Sequence, residues 1–285
     1  YRENGRYFFK PEYDTQRKLT DYFKENSRDG VEDKLISLAA NVLFLQEYNG
    51  TDYVYHPRFN ITKTDSYKYL PDWEKRQLSD LYVDYFFKRQ DGLWYQKAME
   101  KLPMLLSATD MLICGEDLGL VPDCVPVVMD KLGITALKVQ RSPKEDVPFY
   151  NPQTASYMNV VTASSHDSST LRQWWKENRE LTQKYFNNQL NQFGTAPSEL
   201  LPELAEIIMK QHLHSEAMLA IFPIQEFFAT DYEIVNPYAD DERINNPAVF
   251  PHYWRYRMHI SLENLISKEN FNNKIAHFVE ESRRQ

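Results

Sequence analysis

Apolar positions in the first 108 residues recur at helical spacing. Leu35, Leu38, Ala39, Val42, Leu43 and Leu45 form one periodic run that predicts a buried helix face. Residues 72–89 place Leu78, Leu81, Tyr82 and Tyr85 at i, i+3, i+4 and i+7. The pattern continues through Trp94 and Leu102, with Pro103 expected near a helix start. HPRFNIT, residues 56–62, reads as an irregular link between these helices. From residue 109 short apolar runs alternate with helical patterns. Strands are predicted at 110–117, 135–141, 158–167 and 217–226. Helices are predicted within 118–133, capped by Asp123 and closed at Gly133, from 168, over 179–192 and 198–213, at 261–267 and near 269–283. This alternation implies an α/β fold with a parallel sheet. The pattern thus divides the chain into a mainly helical insertion or subdomain, residues 1–108, and a strand–helix part, residues 109–285. Neither internal repeats nor low-complexity segments occur.

Composition narrows the function classes. The 33 Lys+Arg against 41 Asp+Glu leave a net charge of −8, which argues against a nucleic-acid or anionic-membrane face. Mean hydropathy is −0.62. No apolar run is long enough to span a bilayer, so no membrane partner is expected. Two cysteines, Cys114 and Cys124, fit a reducing, cytoplasmic setting. Only 8 of the 285 residues are glycine, and neither GxGxxG nor GxxxxGK[ST] is present, which disfavours a phosphate-cradling loop. The 19 Tyr, 16 Phe and 5 Trp suit bulky helix packing, and also stacking on sugars.

Acidic residues stand where two predicted parallel strands end. Glu116 and Asp117 follow LIC, and His166-Asp167 follow VVTASS. Parallel α/β folds bind ligands, and barrel enzymes carry catalytic groups, at the carboxyl ends of strands. Two carboxylates converging there can divide acid/base work from charge stabilisation. The structural alternative is helix capping: Glu116 or Asp117 for the helix that follows, Asp167 for the one opening at Ser168. Other constellations are weaker. His56 has no partner at metal spacing, and His212 and His214, two apart, face different sides of a helix. Ser164-Ser165-His166-Asp167 has triad residue types, but neighbours in sequence cannot adopt triad geometry.

The strings GEDLGLVPDCV (115–125), LKVQR (137–141), SSHDSSTLRQWW (164–175), IFPIQE (221–226) and ERINNPAVFPHYWRYR (242–257) resemble, in order and spacing, the amylomaltases, the 4-α-glucanotransferases called disproportionating enzymes. The resemblance is closest to the plant cytosolic branch and its bacterial relatives, which also have a helical insertion with counterparts of PRFNI and of residues 82–94. It implies a (β/α)8 TIM barrel and a retaining double displacement on α-1,4-glucans. It implies Glu116 as general acid/base and Asp167 as the carboxylate that stabilises the oxocarbenium-like transition state. His166 and Asn245 match substrate-binding positions. Maltose, maltooligosaccharides or longer α-glucans are the implied partners. No cofactor and no metal are implied, since two carboxylates suffice for this chemistry.

One part of the family pattern is missing. The family nucleophile lies in an R-[IV]-D-H motif on the strand before the one carrying the EDLG glutamate, and no such motif occurs here; Arg172, Asp14 and Asp80 stand in other contexts. The four strands then correspond to the fifth to eighth of the barrel. The expectation is a C-terminal half barrel, preceded by its insertion, lacking the nucleophile Asp, inactive alone and self-associating through exposed edges. The alternative is a non-catalytic α-glucan-binding or regulatory protein.

Overall fold

The structure is a computed structural model and describes residues 1–3, 6–26, 28, 30–144, 147–252 and 254–284. The chain forms two compact units, Tyr1–Leu93 and Trp94–Gln285.

The first unit is helices and hairpins. Strands β1 (Arg2–Glu3) and β2 (Arg6–Tyr7) pair antiparallel. Helix α1 (Gln16–Glu25) opens on Thr15, whose hydroxyl accepts from the Lys18 amide, and buries Leu19 and Phe23. Helix α2 (Val31–Ala39) follows. The periodic run from Leu35 does not form one buried helix face: α2 buries none of its residues, and the chain turns extended at Phe44. Two interactions follow the end of the helix. Asn41 is held by Ser66, whose amide and hydroxyl donate to its side-chain and backbone oxygens at 3.2 and 2.8 Å. Beyond it, β3 (Phe44–Tyr48) and β4 (Tyr53–Pro57) form a hairpin around Asn49-Gly50. The Asn49 side-chain oxygen Oδ1 accepts from the Thr51 and Asp52 amides, and Gly50 sits at φ +98°, which a side chain would resist. The segment expected to be an irregular link therefore begins inside a strand. His56 bridges the Tyr85 hydroxyl (2.7 Å) and Glu47 (3.1 Å). Helices α3 (Asp65–Lys68) and α4 (Asp72–Val83) follow, and the latter widens into a π-turn at Asp84–Lys88. Helix α5 (Asp91–Ser107) begins at the unit boundary and contains Pro103 instead of starting there. The proline removes only one backbone hydrogen bond near the helix end, and the helix continues past it.

The second unit is built on a parallel sheet of order β5-β6-β7-β8. Its strands are Cys114–Gly115, Thr135–Val139, Asn159–Thr162 and Leu219–Ala220, each within one of the four predicted strands. All three pairings are parallel. The outer strands are far shorter than their apolar runs. Pro223, which has no amide hydrogen, stops the last run and opens α10 (Ile224–Phe228). Helix α6 (Cys124–Leu132) closes at Gly133 as expected, although Asp123 occupies the N-cap without a side-chain bond. Helices α7 (Leu171–Glu177), α8 (Arg179–Asn188) and α9 (Pro202–Leu213) cross from β7 to β8, and α11 (Leu262–Ile266) and α12 (Glu269–Glu281) end the chain.

Aromatic packing accounts for much of the core. Trp174, Trp175, Tyr185 and Phe186 pack with Phe149, Leu200, Leu204 and Ile208 in one buried cluster. Each fully buried side chain of this size contributes about 1.5–3 kcal/mol. The polar tips are satisfied: the Trp175 indole donates to Pro197 O at 2.9 Å, and the Tyr185 hydroxyl to Gln140 at 2.5 Å. No helix among the described residues is long and apolar enough to cross a membrane.

His212 on α9 is fully buried, and its Nδ1 donates to Ile208 O at 2.8 Å. Burial disfavours the imidazolium and pushes the pKa down to about 4. In the unfolded chain the imidazole titrates near ~6.5. Between those values the unfolded state binds the extra proton, so stability is complete above the upper value and falls as pH drops through the window. Thermal unfolding is expected to lose on the order of 3 kcal/mol from this group between neutral pH and pH about 4. The non-titrating His212→Gln is expected to flatten that part of the pH profile; an unchanged profile would contradict the assignment.

Candidate active site

The loop that leaves β7 carries His166 and Asp167. Thr162 starts it by donating its hydroxyl to Ser164 O at 2.7 Å, which takes the chain out of the sheet. The loop ends at α7, where Thr170 and Gln173 form a capping box. Thr170, not Asp167, therefore caps this helix, and the Asp167 carboxylate is left for other partners. Two charged side chains close the neck of the loop. Arg141, just past β6, donates from Nε to Ala163 O at 3.0 Å and from Nη2 to Ser169 O at 2.5 Å. Its guanidinium also lies over the Trp174 ring, 5.2 Å from the centroid. Glu226, on α10 beyond β8, is 2% exposed and accepts from the Ser164 hydroxyl and, at 3.0 Å, from the Leu171 amide. Burial raises the pKa of Glu226, opposed by the Ser164 hydrogen bond and the Arg141 charge.

A second segment reaches this loop from residues 242–245. Buried Asn245 donates its side-chain amide to Asp167 Oδ1 at 2.6 Å. His166 Nε2 lies 3.4 Å from Asp167 Oδ2, and the His166 and Trp254 rings stand 4.8 Å apart. Both His166 and Asp167 stay accessible, at 47% and 40% side-chain exposure. Asn245 is anchored three residues upstream. Glu242, 1% exposed, accepts from Arg172 and from the Thr170 hydroxyl at 2.9 Å. Its backbone oxygen accepts from Gln225 Nε2 at 2.9 Å. Burial raises the Glu242 pKa while Arg172 pulls it down. The structure thus brings His166, Asp167 and Asn245 together, across 78 positions of sequence in the case of Asp167 and Asn245.

Glu116 stands elsewhere on the same edge of the sheet. It directly follows β5 and is exposed. One strand, β6, separates β5 from β7. Two strand spacings put their backbones about 10 Å apart. No hydrogen bond or ion pair among the described residues joins Glu116 to Asp167, His166 or Asn245. The backbone beside Glu116 is closely packed: a Cβ on Gly115 would meet the tip of the Met129 side chain, Cε, at 2.9 Å and Ile134 Cγ2 at 3.3 Å, so a larger residue there would require Met129 to shift. Asp117 has a structural role: its carboxylate accepts from the Leu137 amide at 3.2 Å and pairs with Lys144, clamping β5 to β6. Neither Glu116 nor Asp117 caps α6, whose N-cap position is Asp123.

Sequence reasoning assigned no site role to Arg141, Arg172, Glu226, Glu242 or Trp254. Four of them are charged residues whose partners lie far away in sequence. The only advance signal was their presence in the strings LKVQR, LRQWW, IFPIQE and ERINNPAVFPHYWRYR; Tyr253 of the last lies outside the described residues. No group of three or more His, Cys, Asp or Glu placed to hold a metal ion occurs among the described residues.

A family model described as 4-alpha-glucanotransferase, glycoside hydrolase family 77, matches residues 20–263. The 4-alpha-glucanotransferase DPE2 of Oryza sativa subsp. japonica is 37% identical over 287 residues, which cover 98% of this chain and 30% of that protein. The 4-alpha-glucanotransferase of Chlamydia pneumoniae is 30% identical over 188 residues, 64% of this chain and 35% of that one. Among solved structures, the amylomaltase from Streptococcus agalactiae in complex with acarbose aligns with a TM-score of 0.49 at 16% identity, over 66% of this chain and 35% of that one. The chain spans about a third of the length of the curated relatives it matches, 30% and 35%. With the family model covering most of its residues, the chain belongs to the 4-alpha-glucanotransferase family.

Proposed function

We propose that this chain is part of a 4-α-glucanotransferase that moves glucosyl units between α-1,4-glucans, maltose or maltooligosaccharides by retaining double displacement. The observation that carries the reading is the Asp167–Asn245 hydrogen bond, with His166 beside it, at the carboxyl end of a parallel strand in a member of this family. Glu116 protonates the leaving glycosidic oxygen and then deprotonates the acceptor hydroxyl. Asp167, accepting from Asn245, hydrogen-bonds the hydroxyls of the reacting ring and stabilises positive charge as the bond breaks. His166 and Asn245 contact the same sugar.

The nucleophilic Asp is not supplied by these residues, which contain no R-[IV]-D-H motif. The sheet is half of a (β/α)8 barrel, with residues 1–108 as the insertion before it; the all-parallel order supports this reading. Its outer strands, β5 and β8, are flanked by exposed Met111, Leu112 and Ile221, which supports self-association of the chain through those edges. A sequence with only two cysteines, Cys114 and Cys124, supports a cytoplasmic setting.

Two measurements test the reading. In a protein that carries the complete barrel, Glu116→Gln is expected to lower turnover on maltotriose by about 10²–10⁴ while leaving the melting temperature unchanged; near-full activity would remove Glu116 from its role. The 285-residue chain alone is expected to bind maltooligosaccharide and release no glucose from it. Robust disproportionation by this chain would mean that it supplies its own nucleophile.

A further inference from the structure

We propose that Arg141 and Glu226 are positioning residues of the transfer reaction, setting where His166 and Asp167 stand by tying together the two ends of the loop that carries them. The proposal rests on the reading of Asp167 given above.

The geometry is a double cross-link. Arg141 joins residue 163 to residue 169, and Glu226 joins residue 164 to residue 171. The two arrive from opposite neighbours in the sheet, Arg141 from the end of β6 and Glu226 from the helix after β8. Each bonds both ends of the loop, so neither end can shift without breaking a charge-assisted hydrogen bond. Apolar packing would close such a neck without the cost of burying a carboxylate, but it would not fix the loop to one register.

Adjacent side chains on α10 extend the device to the other half of the site. Glu226 holds the segment bearing Asp167, while Gln225 donates to Glu242 O and so holds the segment bearing Asn245. Glu242 closes the ring through Thr170 and Arg172. One short helix thus positions both partners of the Asp167–Asn245 hydrogen bond. Among the described residues, neither Arg141 nor Glu226 bonds His166 or Asp167 directly, so their effect passes through the backbone of the loop.

Three variants separate positioning from bulk stability: Glu226→Leu, which removes both bonds; Glu226→Gln, which keeps an acceptor for the Leu171 amide; and Ser164→Ala, which removes one donor and carries the comparison if Glu226→Leu does not fold. On this chain, amide hydrogen exchange is expected to speed at residues 165–171 by about tenfold or more in Glu226→Leu, with β6 and β7 unchanged. The Asn245 side-chain amide proton is expected to move to the shift it takes in Asp167→Ala. Glu226→Gln is expected to stay near the parent in both. In the protein with the complete barrel, kcat on maltotriose is expected to fall by about 10²-fold in Glu226→Leu with KM held within about twofold. A lower melting temperature with unchanged loop exchange and an unmoved Asn245 signal would overturn the proposal. Full turnover in Asp167→Asn would instead overturn the reading of Asp167, and the exchange and Asn245 measurements would still decide whether the loop is positioned from its neck.

Discussion

A buried carboxyl group must be hydrogen-bonded or the fold does not keep it, and Glu226 meets that condition by gripping both ends of one loop. Ser164 and Leu171 both donate to it, while Arg141 spans the same neck through backbone oxygens. Removing a donor to a buried carboxyl group leaves it unsatisfied, which generally costs about 1–3 kcal/mol. Much of the second unit follows from this neck. It sets where α7 begins, which places Trp174 and Trp175 in the core, and it leaves His166 and Asp167 projecting from a loop with fixed ends.

The two edges of the candidate site are built differently. Around β7 the side chains are held by a closed ring of hydrogen bonds through Thr170, Arg172, Glu242 and Gln225. Around β5 the constraint is steric: Gly115 lets Met129 and Ile134 approach the strand, and the Asp117–Lys144 pair holds the next residue. Glu116 thereby stays exposed between a packed glycine and a paired aspartate. The Asp167 carboxylate, by contrast, accepts a hydrogen bond from a buried amide.

Local order was legible where local chemistry sets it. The four strands of the sheet, the end of α6 at Gly133 and the helices after β7 all lie within windows marked by apolar spacing and cap residues. It failed where two local signals competed. The helical spacing from Leu35 runs into Asn49-Gly50, a strong hairpin turn, and the turn prevails because β4 supplies hydrogen-bond partners for Phe44–Tyr48. Strand length was also misread, since an apolar run continues past the point where a neighbouring strand can pair with it.

By itself the sequence determined an α/β chain of the 4-alpha-glucanotransferase family, with acidic residues after two parallel strands, because spacing, capping and motif order are properties of neighbouring residues. Residue spacing alone did not separate Asp117 from Glu116, which only the family resemblance singled out, since both follow the same strand and three-dimensional packing is what pairs Asp117 with Lys144. Nor did it mark Arg141 or Glu226, whose partners lie 22 to 62 positions away and become neighbours only when parallel strands bring their ends to one edge. Tertiary structure decided which charges are buried and which face solvent, because the energy of a charge depends on what surrounds it and not on its place in the chain.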